Sequence, residues 1–129
     1  MMEPDGQSEL PIRLVDVDEA IIDIDRDLSV SFRQRKPGPP ERIDGLSMGI
    51  VTIDGDGPHG GERHPDGDEI LYIISGELIL HADRLDEPLR IAEGQACIVR
   101  KGEWHKVSAE KATRIVHVTP GPRGDARPL

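Results

Sequence analysis

The sequence predicts an all-β protein with a single domain, built as a sandwich or barrel of short antiparallel strands. Its 129 residues are enough for one packed core but short for two. Because only 2% of the residues are aromatic, the core has to rest on Ile, Leu and Val, which favour strands when they alternate with polar side chains. Turn residues recur at short, even intervals, which is typical of barrels and not of alternating strands and helices.

The N-terminal segment, residues 1–27, is expected to contribute local structure outside the barrel. Asp16 and Glu19 stand just before an apolar Ala-Ile-Ile run, and this spacing predicts the start of a short helix. The same segment is expected to add an edge strand, which can pair with the sheet of a neighbouring chain and so protect an exposed edge.

The barrel itself is expected to span residues 28–119. The predicted strands, in chain order, cover residues 28–34, 46–53, 69–74, 77–81, 96–100, 106–108 and 112–118. A proline-rich stretch from Pro37 ends the first strand because proline cannot continue a β-ladder, and Ser75-Gly76 turns the third strand into a hairpin. Residues 120–129, rich in proline and glycine, are expected to form an extended or disordered tail.

Charge and hydropathy exclude several classes of partner. With 25 acidic and 16 basic residues the net charge is −9, which repels nucleic-acid phosphates and anionic lipid surfaces. No apolar run approaches the roughly 20 residues of a membrane helix, and the first ten residues lack the pattern of a secretion signal. We therefore expect a cytoplasmic protein without nucleic-acid or membrane partners. Cys97 is the single cysteine, so no internal disulfide can form, and its apolar flanks predict a buried structural thiol.

Histidines and carboxylates concentrate in two stretches, residues 60–78 and 94–107. In the first stretch Glu62 and His64 are two residues apart, so their side chains point to the same face of an extended chain. A Pro-Asp-Gly turn follows, and it allows Glu69 at the head of the next strand to return alongside His64. The first stretch therefore predicts a group of donor atoms on one face.

The second stretch supplies His105, which follows a Lys-Gly turn and can reach the same group from across a barrel. Imidazole nitrogens together with carboxylate oxygens suit one divalent metal, Fe(II), Mn(II), Ni(II) or Zn(II). Two histidines and one carboxylate leave coordination positions open for a substrate or for dioxygen. This donor set therefore favours a reactive metal site.

The spacing of these residues resembles the two motifs of the cupin family, and in particular its small single-domain members. Four residues separate His64 from Glu69, and six separate Glu69 from Gly76, as in the second half of the first motif. The residues that fall on the second motif are Gly94, Gly102 and His105. The resemblance covers roughly residues 46–119. It implies a jelly-roll β-barrel of antiparallel strands, a metal inside it held by His64, Glu69 and His105, and a homodimer.

Three positions depart from the cupin pattern: Glu62 stands for the first motif histidine, Arg100 for a proline and Ala109 for an asparagine. Only the first change touches the metal. Glu62 is expected as a fourth ligand, which would give a harder, more negative site. Two alternatives stay open: Glu62 turns away and serves as a general base, or His59 takes its place through a bulge at the Gly-Gly pair.

Further side chains are candidates for a substrate pocket. Arg114 is a solvated strand residue if it faces outward, and a clamp for a carboxylate or phosphate if it faces inward. His117 lies either in the pocket or on the outer face. Trp104 is expected to pack at the barrel mouth or to stack on a substrate. His81 is assigned to the outer face because Leu78 and Leu80 of the same strand claim the inward face.

The sequence thus predicts a metal-binding cupin that acts on a small polar metabolite, as a dioxygenase, isomerase or lyase. The alternative is a non-catalytic module that binds or senses a small molecule or a sugar in the same pocket. The fold does not choose between them, because the same barrel hosts many chemistries.

Overall fold

The computed structural model describes residues 10–38, 40–57 and 60–128, and the regular structure in these residues consists of β-strands. The strands are β1 (Ala20–Asp25), β2 (Val30–Gln34), β3 (Gly45–Asp56), β4 (Gly61–Arg63), β5 (Glu69–Ser75), β6 (Glu77–Ala82), β7 (Leu89–Ala92), β8 (Ala96–Val99), β9 (His105–Pro120) and β10 (Asp125–Arg127). The predicted all-β fold is confirmed. None of the described segments is a helix that is long and apolar enough to cross a membrane.

Strand β9 is the strand around which the jelly roll is organised. Its C-terminal half pairs with β3 on one side and β5 on the other. Its N-terminal half pairs with β6 and, at His105, with β4. The sheet then continues through β1 and β2 beyond β3, and through β8, β7 and β10 beyond β5, β6 and β4. All these pairings are antiparallel, and the two strands predicted at 106–108 and 112–118 are parts of this one long strand.

The space between the sheets is filled by aliphatic side chains. The buried cluster consists of Ile53, Leu71, Ile73, Leu78, Leu80, Ile91, Val99, Ala109 and Ile115. In β5 the inward row is Glu69, Leu71 and Ile73, since alternate residues of a strand face the same side. Glu69 is therefore a carboxylate at one end of an apolar row, which places it inside the barrel.

The outer face of the same strands is apolar as well. Ile70 pairs with Ile98 on β8 and with Val118 on β9, and Tyr72 lies one step further along the outer row. Ile70, Tyr72 and Ile98 are 44%, 42% and 56% exposed. A contiguous exposed apolar surface of this kind is typical of a site that binds another molecule.

The short helix predicted near Asp16 is wrong. The carbonyl oxygen of Asp16 accepts hydrogen bonds from the backbone amides of Glu19 and Ala20, at 3.1 and 3.0 Å, but this single turn leads directly into β1. Within β1, Ile22 pairs with strand residues on both sides. These ladder hydrogen bonds satisfy the backbone groups that a helix would otherwise pair, and they outweigh the capping signal.

Within the described part of residues 1–27, β1 lies between β2 and β3 of this chain, so it is an inner strand of the sheet and not an edge strand. The tail, expected to be extended or disordered, contributes β10, which pairs with β4 in the register Asp125 to Arg63. An ion pair of 2.6 Å between the same two side chains supports this pairing. The tail therefore covers the edge of the strand that carries Glu62.

The turn between β5 and β6 depends on Gly76. Its φ is +91°, and a Cβ at this position would lie 2.4 Å from Thr113 Oγ1 and 3.0 Å from Thr113 Cα. Thr113 cannot give way at low cost, because its buried hydroxyl donates to the carbonyl of Glu77 and accepts from the amide of Glu77. A side chain at position 76 therefore has no room.

We expect Gly76→Ala to lower the free energy of unfolding by about 2 kcal/mol more than Gly94→Ala. Gly94 has a similar φ of +82° but nothing within 4 Å of its added Cβ, so both variants share the strain of the left-handed conformation and differ in the clash. Urea unfolding of both variants measures the difference. Equal losses of stability would show that Thr113 yields without penalty.

Candidate metal centre

Three strands and the turn after one of them position the four predicted ligands. Glu62 on β4 pairs directly with His105, the first residue of β9. His64 follows β4, and Glu69 is the first residue of β5. The backbone amide of Gly102 donates to the carbonyl oxygen of His64 at 3.0 Å, which holds the turn before His105 against the residue after β4.

Asp68 ties the remaining turn to this arrangement. Its carboxylate accepts a hydrogen bond from the backbone amide of Lys101 at 2.7 Å and one from the guanidinium of Arg100 at 3.1 Å. Asp68 immediately precedes Glu69, and Lys101 belongs to the turn that leads to His105. The position of Arg100, where the cupin motif has a proline, therefore still serves to hold the two turns together.

The structure brings the four predicted donors together. One ligand atom from each of Glu62, His64, Glu69 and His105 lies within 4.8 Å of the others. His64 Nε2 is 3.5 Å from Glu62 Oε1 and 3.4 Å from Glu69 Oε1. His105 Nε2 is 3.5 and 3.2 Å from the same two oxygens. A cation about 2.0–2.2 Å from each ligand would separate neighbouring donors by about 3.0–3.5 Å, so the spacing fits one ion.

The histidines present the nitrogen atoms that a cation needs. His64 Nε2 is buried and forms no hydrogen bond with any residue that the structure describes. His105 Nδ1 lies 3.0 Å from the carbonyl oxygen of Glu103, so it carries a proton and donates, and Nε2 faces the cluster, 3.2 Å from Glu69 Oε1. Such a bond from the distal ring nitrogen to a carbonyl is usual for metal-binding histidines. A cation bound between these side chains would give the buried nitrogen of His64 a partner.

The electrostatics of the cluster also fit a divalent cation. Burial alone would lower the pKa of each histidine, but contacts with the carboxylates of Glu62 and Glu69 outweigh it and raise the pKa of His64 to about 9 and that of His105 to about 10. Burial alone would raise the pKa of each carboxyl, but the histidines hold the pKa of Glu62 well below its usual range and lower that of Glu69 to about 2. Two carboxylates thus balance two protons, and one divalent cation can replace both protons without changing the net charge.

A hydrogen-bonded chain behind the cluster fixes Glu69. The hydroxyl of Thr119, which is fully buried, donates to Glu69 Oε2 at 2.6 Å. His117 Nδ1 lies 2.9 Å from Thr119 Oγ1 and therefore donates to it. Burial, together with the charges of Arg42 and Arg35, lowers the pKa of His117 to about 4, so this ring is neutral at pH 7. The chain leaves Glu69 Oε1, the oxygen closest to the histidines, directed at the cluster.

A cavity of about 930 Å³ opens beside these side chains, and it is lined by Glu62, Glu69, His105 and His117. Its lining also contains cationic side chains, which the sequence reasoning missed: Arg33, Arg35, Lys36, Arg42 and Lys106. A signal was present in the sequence, because Arg33 and Arg35 are two residues apart on a strand and therefore share a face.

The other pocket candidates lie apart from this cavity. Arg114 is not among the residues that line it, and its guanidinium pairs with Asp18 at 2.7 Å. Trp104 is also absent from the lining, and the guanidinium groups of Arg63 and Arg127 lie over its ring, 4.9 and 4.1 Å from the centroid.

The remaining residues of interest have no place in the cluster. His81 lies on β6, opposite Lys106 of β9. Cys97 is partly buried against the core, and burial raises the pKa of its thiol to about 11. His59, the alternative to Glu62, lies outside the described residues. Within the described part of the chain, Glu62 occupies the place that the cupin motif gives to a histidine.

Comparison with solved structures shows the same fold in several bacterial proteins. A conserved protein of unknown function from Streptococcus pyogenes, SPY1581, is 29% identical, with a TM-score of 0.54 over 64% of this chain and 69% of that one. A cupin-2 domain protein from Shewanella frigidimarina is 20% identical, with a TM-score of 0.54 over 69% of this chain and 85% of that one.

The DMSP lyase DddQ from Ruegeria pomeroyi is 18% identical, with a TM-score of 0.54 over 65% of this chain and 44% of that one. At this level of identity the likeness shows the fold alone. No curated protein matches the chain. Residues 49–119 match the family described as Cupin_2, cupin domain, and this match covers more than half of the chain and both ligand-bearing stretches. The chain therefore belongs to the Cupin_2 family of cupin-domain proteins.

Proposed function

We propose that this protein is a metal-dependent cupin which holds one divalent cation through two histidines and two glutamates and acts on a small polar metabolite. The proposed ligands are Glu62, His64, Glu69 and His105. The observation that carries the proposal is the convergence of these four donors around a buried His64 nitrogen that has no hydrogen-bond partner in the described part of the chain. The adjoining cavity, about 930 Å³, is within the usual range for a small-molecule site.

Each ligand has a distinct part in the proposed site. The side chains of His64, Glu69 and His105 are at most 7% exposed, and they form its floor. Glu62 is 26% exposed, the most exposed of the three ligands that line the cavity, so it is the ligand most open to a bound metabolite. Thr119 and His117 keep one oxygen of Glu69 occupied and so orient the other.

The chemistry proposed for the site is that of an oxygenase, isomerase or lyase. A bound cation would supply a Lewis acid that polarises a carbonyl or enolate oxygen, or a site for dioxygen. Glu62 is the more exposed of the two cluster carboxylates that line the cavity, so it is the group placed to accept a proton from a metabolite if it is released from the cation. The similar DMSP lyase is an enzyme, but the likeness to it carries the fold alone and leaves the reaction to be tested.

Metal reconstitution followed by turnover assays tests this proposal. Stripped protein is loaded separately with Fe(II), Mn(II), Ni(II) and Zn(II), and bound metal is measured by mass spectrometry of the elements. We expect one ion per chain with at least one of these metals. Oxygen uptake by the iron or manganese form on a panel of catechols and diketones would identify an oxygenase. Tight ligand binding without turnover would identify the non-catalytic module, and less than a tenth of an ion with every metal would remove the site.

We also propose that the protein is a cytoplasmic homodimer. The exposed apolar face around Ile70, Tyr72 and Ile98 supports this, because a second copy would bury it. Its size in solution, measured by light scattering, tests the dimer.

A further inference from the structure

Among the cationic residues of the cavity lining, Arg42 is the arginine whose hydrogen-bond donors are all unused within the described part of the chain. Arg33 pairs with Asp23 at 2.7 Å, and Arg35 donates to the carbonyl oxygen of Ile50 at 2.6 Å. Arg42 differs from both, since it forms no hydrogen bond or close ion pair with any residue in the ranges that the structure describes. A guanidinium has five N–H groups in a fixed fork, so Arg42 has its full donor set available.

Arg42 is also partly removed from water. Its side chain is half-buried, and burial lowers the pKa of its guanidinium below the ordinary value. The charges of Glu69 and Glu62 act against this effect, which places the guanidinium within electrostatic reach of the metal-site carboxylates. Arg42 lines the large cavity and also the smaller cavity on the other side of Glu62. The guanidinium thus lies beside the ligand that faces a bound metabolite.

The metal cluster does not balance the charge of Arg42. With a divalent cation bound, the two glutamates balance the cation, so the cluster has no net charge to offset the guanidinium. Arg35, Lys36 and Lys106 line the same cavity and add further positive charges, and Glu41 in the same lining offsets one of them. His117 on the cavity wall is neutral and adds none. The loaded cavity therefore has an excess of positive charge in a chain whose net charge is −9.

We propose that the metabolite bound in this cavity is a small oxyanion, with a carboxylate or phosphate group, and that Arg42 is the residue which binds this group while another part of the same molecule faces the metal site. This inference rests on the proposed metal-dependent function. A guanidinium fork matches the two oxygens of a carboxylate or phosphate, and a partly buried one binds them more strongly than a solvated one. The sequence suggested Arg114 as the clamp for such a group, but its guanidinium is paired with Asp18. Arg42 has this role instead.

Calorimetric titration of the zinc-loaded protein tests the proposal. Zinc is chosen because it has no redox chemistry, so binding is measured apart from turnover. The probes are malonate, inorganic phosphate and malonamide, a neutral analogue of malonate. We expect malonate or phosphate to bind and malonamide to bind at least about tenfold more weakly, since a charge-assisted hydrogen bond contributes about that factor. The tighter of the two anions identifies the group that Arg42 recognises.

Two variants make the test specific. Arg42→Gln is expected to weaken binding of the preferred anion at least about tenfold while it keeps one zinc per chain. Arg84→Gln is the matched control, because it removes the same charge from a side chain that is 85% exposed and lies outside the cavity lining. It is expected to leave anion binding unchanged.

The two proposals fail separately. Zinc content is measured on every sample, and a wild-type value near zero would remove the metal site. The anion titration of that same sample would still decide the second proposal, which is overturned if no anion binds, if malonamide binds as tightly as malonate, or if Arg42→Gln binds the anion like the wild type.

Discussion

Replacing His105 by alanine is expected to reduce the metal content from one ion per chain to nearly none. His105 supplies one of two imidazole nitrogens, and its own orientation is fixed by the bond from Nδ1 to the carbonyl of Glu103. Without it the two carboxylates and His64 retain three donors, and the β9 end of the site becomes open to water. Removal of a residue that only supports a metal ligand weakens metal affinity by roughly 10- to 100-fold. Loss of the ligand itself weakens it by more. Metal content after dialysis measures the effect.

The same loss should appear in thermal stability. A ligand present at about 1,000 times its dissociation constant stabilises the folded state by about 4 kcal/mol, and for a domain of this size that corresponds to a rise in Tm of roughly 15 °C. The wild type should lose this increment on treatment with a chelator, whereas His105→Ala should show none to lose.

A matched histidine variant controls for changes unrelated to the site. His81→Ala removes a histidine from β6, at a position outside the four-residue cluster. It is expected to bind metal like the wild type. Full metal content in His105→Ala, with the chelator effect on Tm preserved, would show that the four donors do not act as one site.

Replacing Leu78 by alanine is expected to lower the free energy of unfolding by about 3–5 kcal/mol, the range for a leucine that leaves an unrelaxed cavity. Leu78 is fully buried at the start of β6 and belongs to the aliphatic cluster between the sheets. The total stability of a domain is commonly about 5–15 kcal/mol, so this single change removes a large part of it. Chemical denaturation monitored by circular dichroism measures the loss.

The matched control is Leu89→Ala in β7, since it removes the same atoms from a side chain that is 46% exposed. A loss of less than about 1 kcal/mol is expected there. Comparable losses for the two variants would mean that the interior near Leu78 repacks around the missing atoms.

The parts of the site that lie on or beside strands could be predicted from the sequence. Glu62 and His64 share a face because they are two residues apart, and a short turn is enough to return Glu69 to the same place. The position of His105 is predicted from the spacing of the cupin motifs, which reflects the number of residues in the strands between Glu69 and His105. Local geometry therefore predicts the positions of Glu62, His64 and Glu69, and the long-range pairing of β4 with β9 brings His105 to them.

Features that depend on long-range pairing could not be predicted in the same way. The capping signal at Asp16 is real at the level of one turn, yet the pairing of β1 with both neighbours decides the conformation. Arg42 lies between β2 and β3 in a segment with no periodic pattern, and only the closed fold brings it to the cavity. Arg114 faces away because β9 alternates its side chains, and its neighbour Ile115 takes the interior.

The central position of β9 has a consequence for how the protein forms during synthesis. Strands β3, β4, β5 and β6 all pair with this strand, and each of them leaves the ribosome before it does. Until β9 has been synthesised, the backbone edges of these strands and the aliphatic face of β5 therefore have no native partner. Chains dominated by pairings between residues far apart in sequence fold slowly, and their folding intermediates are aggregation-prone. A nascent chain stalled before residue 105 should accordingly be a strong client of chaperones, and one stalled well after residue 120 should be a weak one.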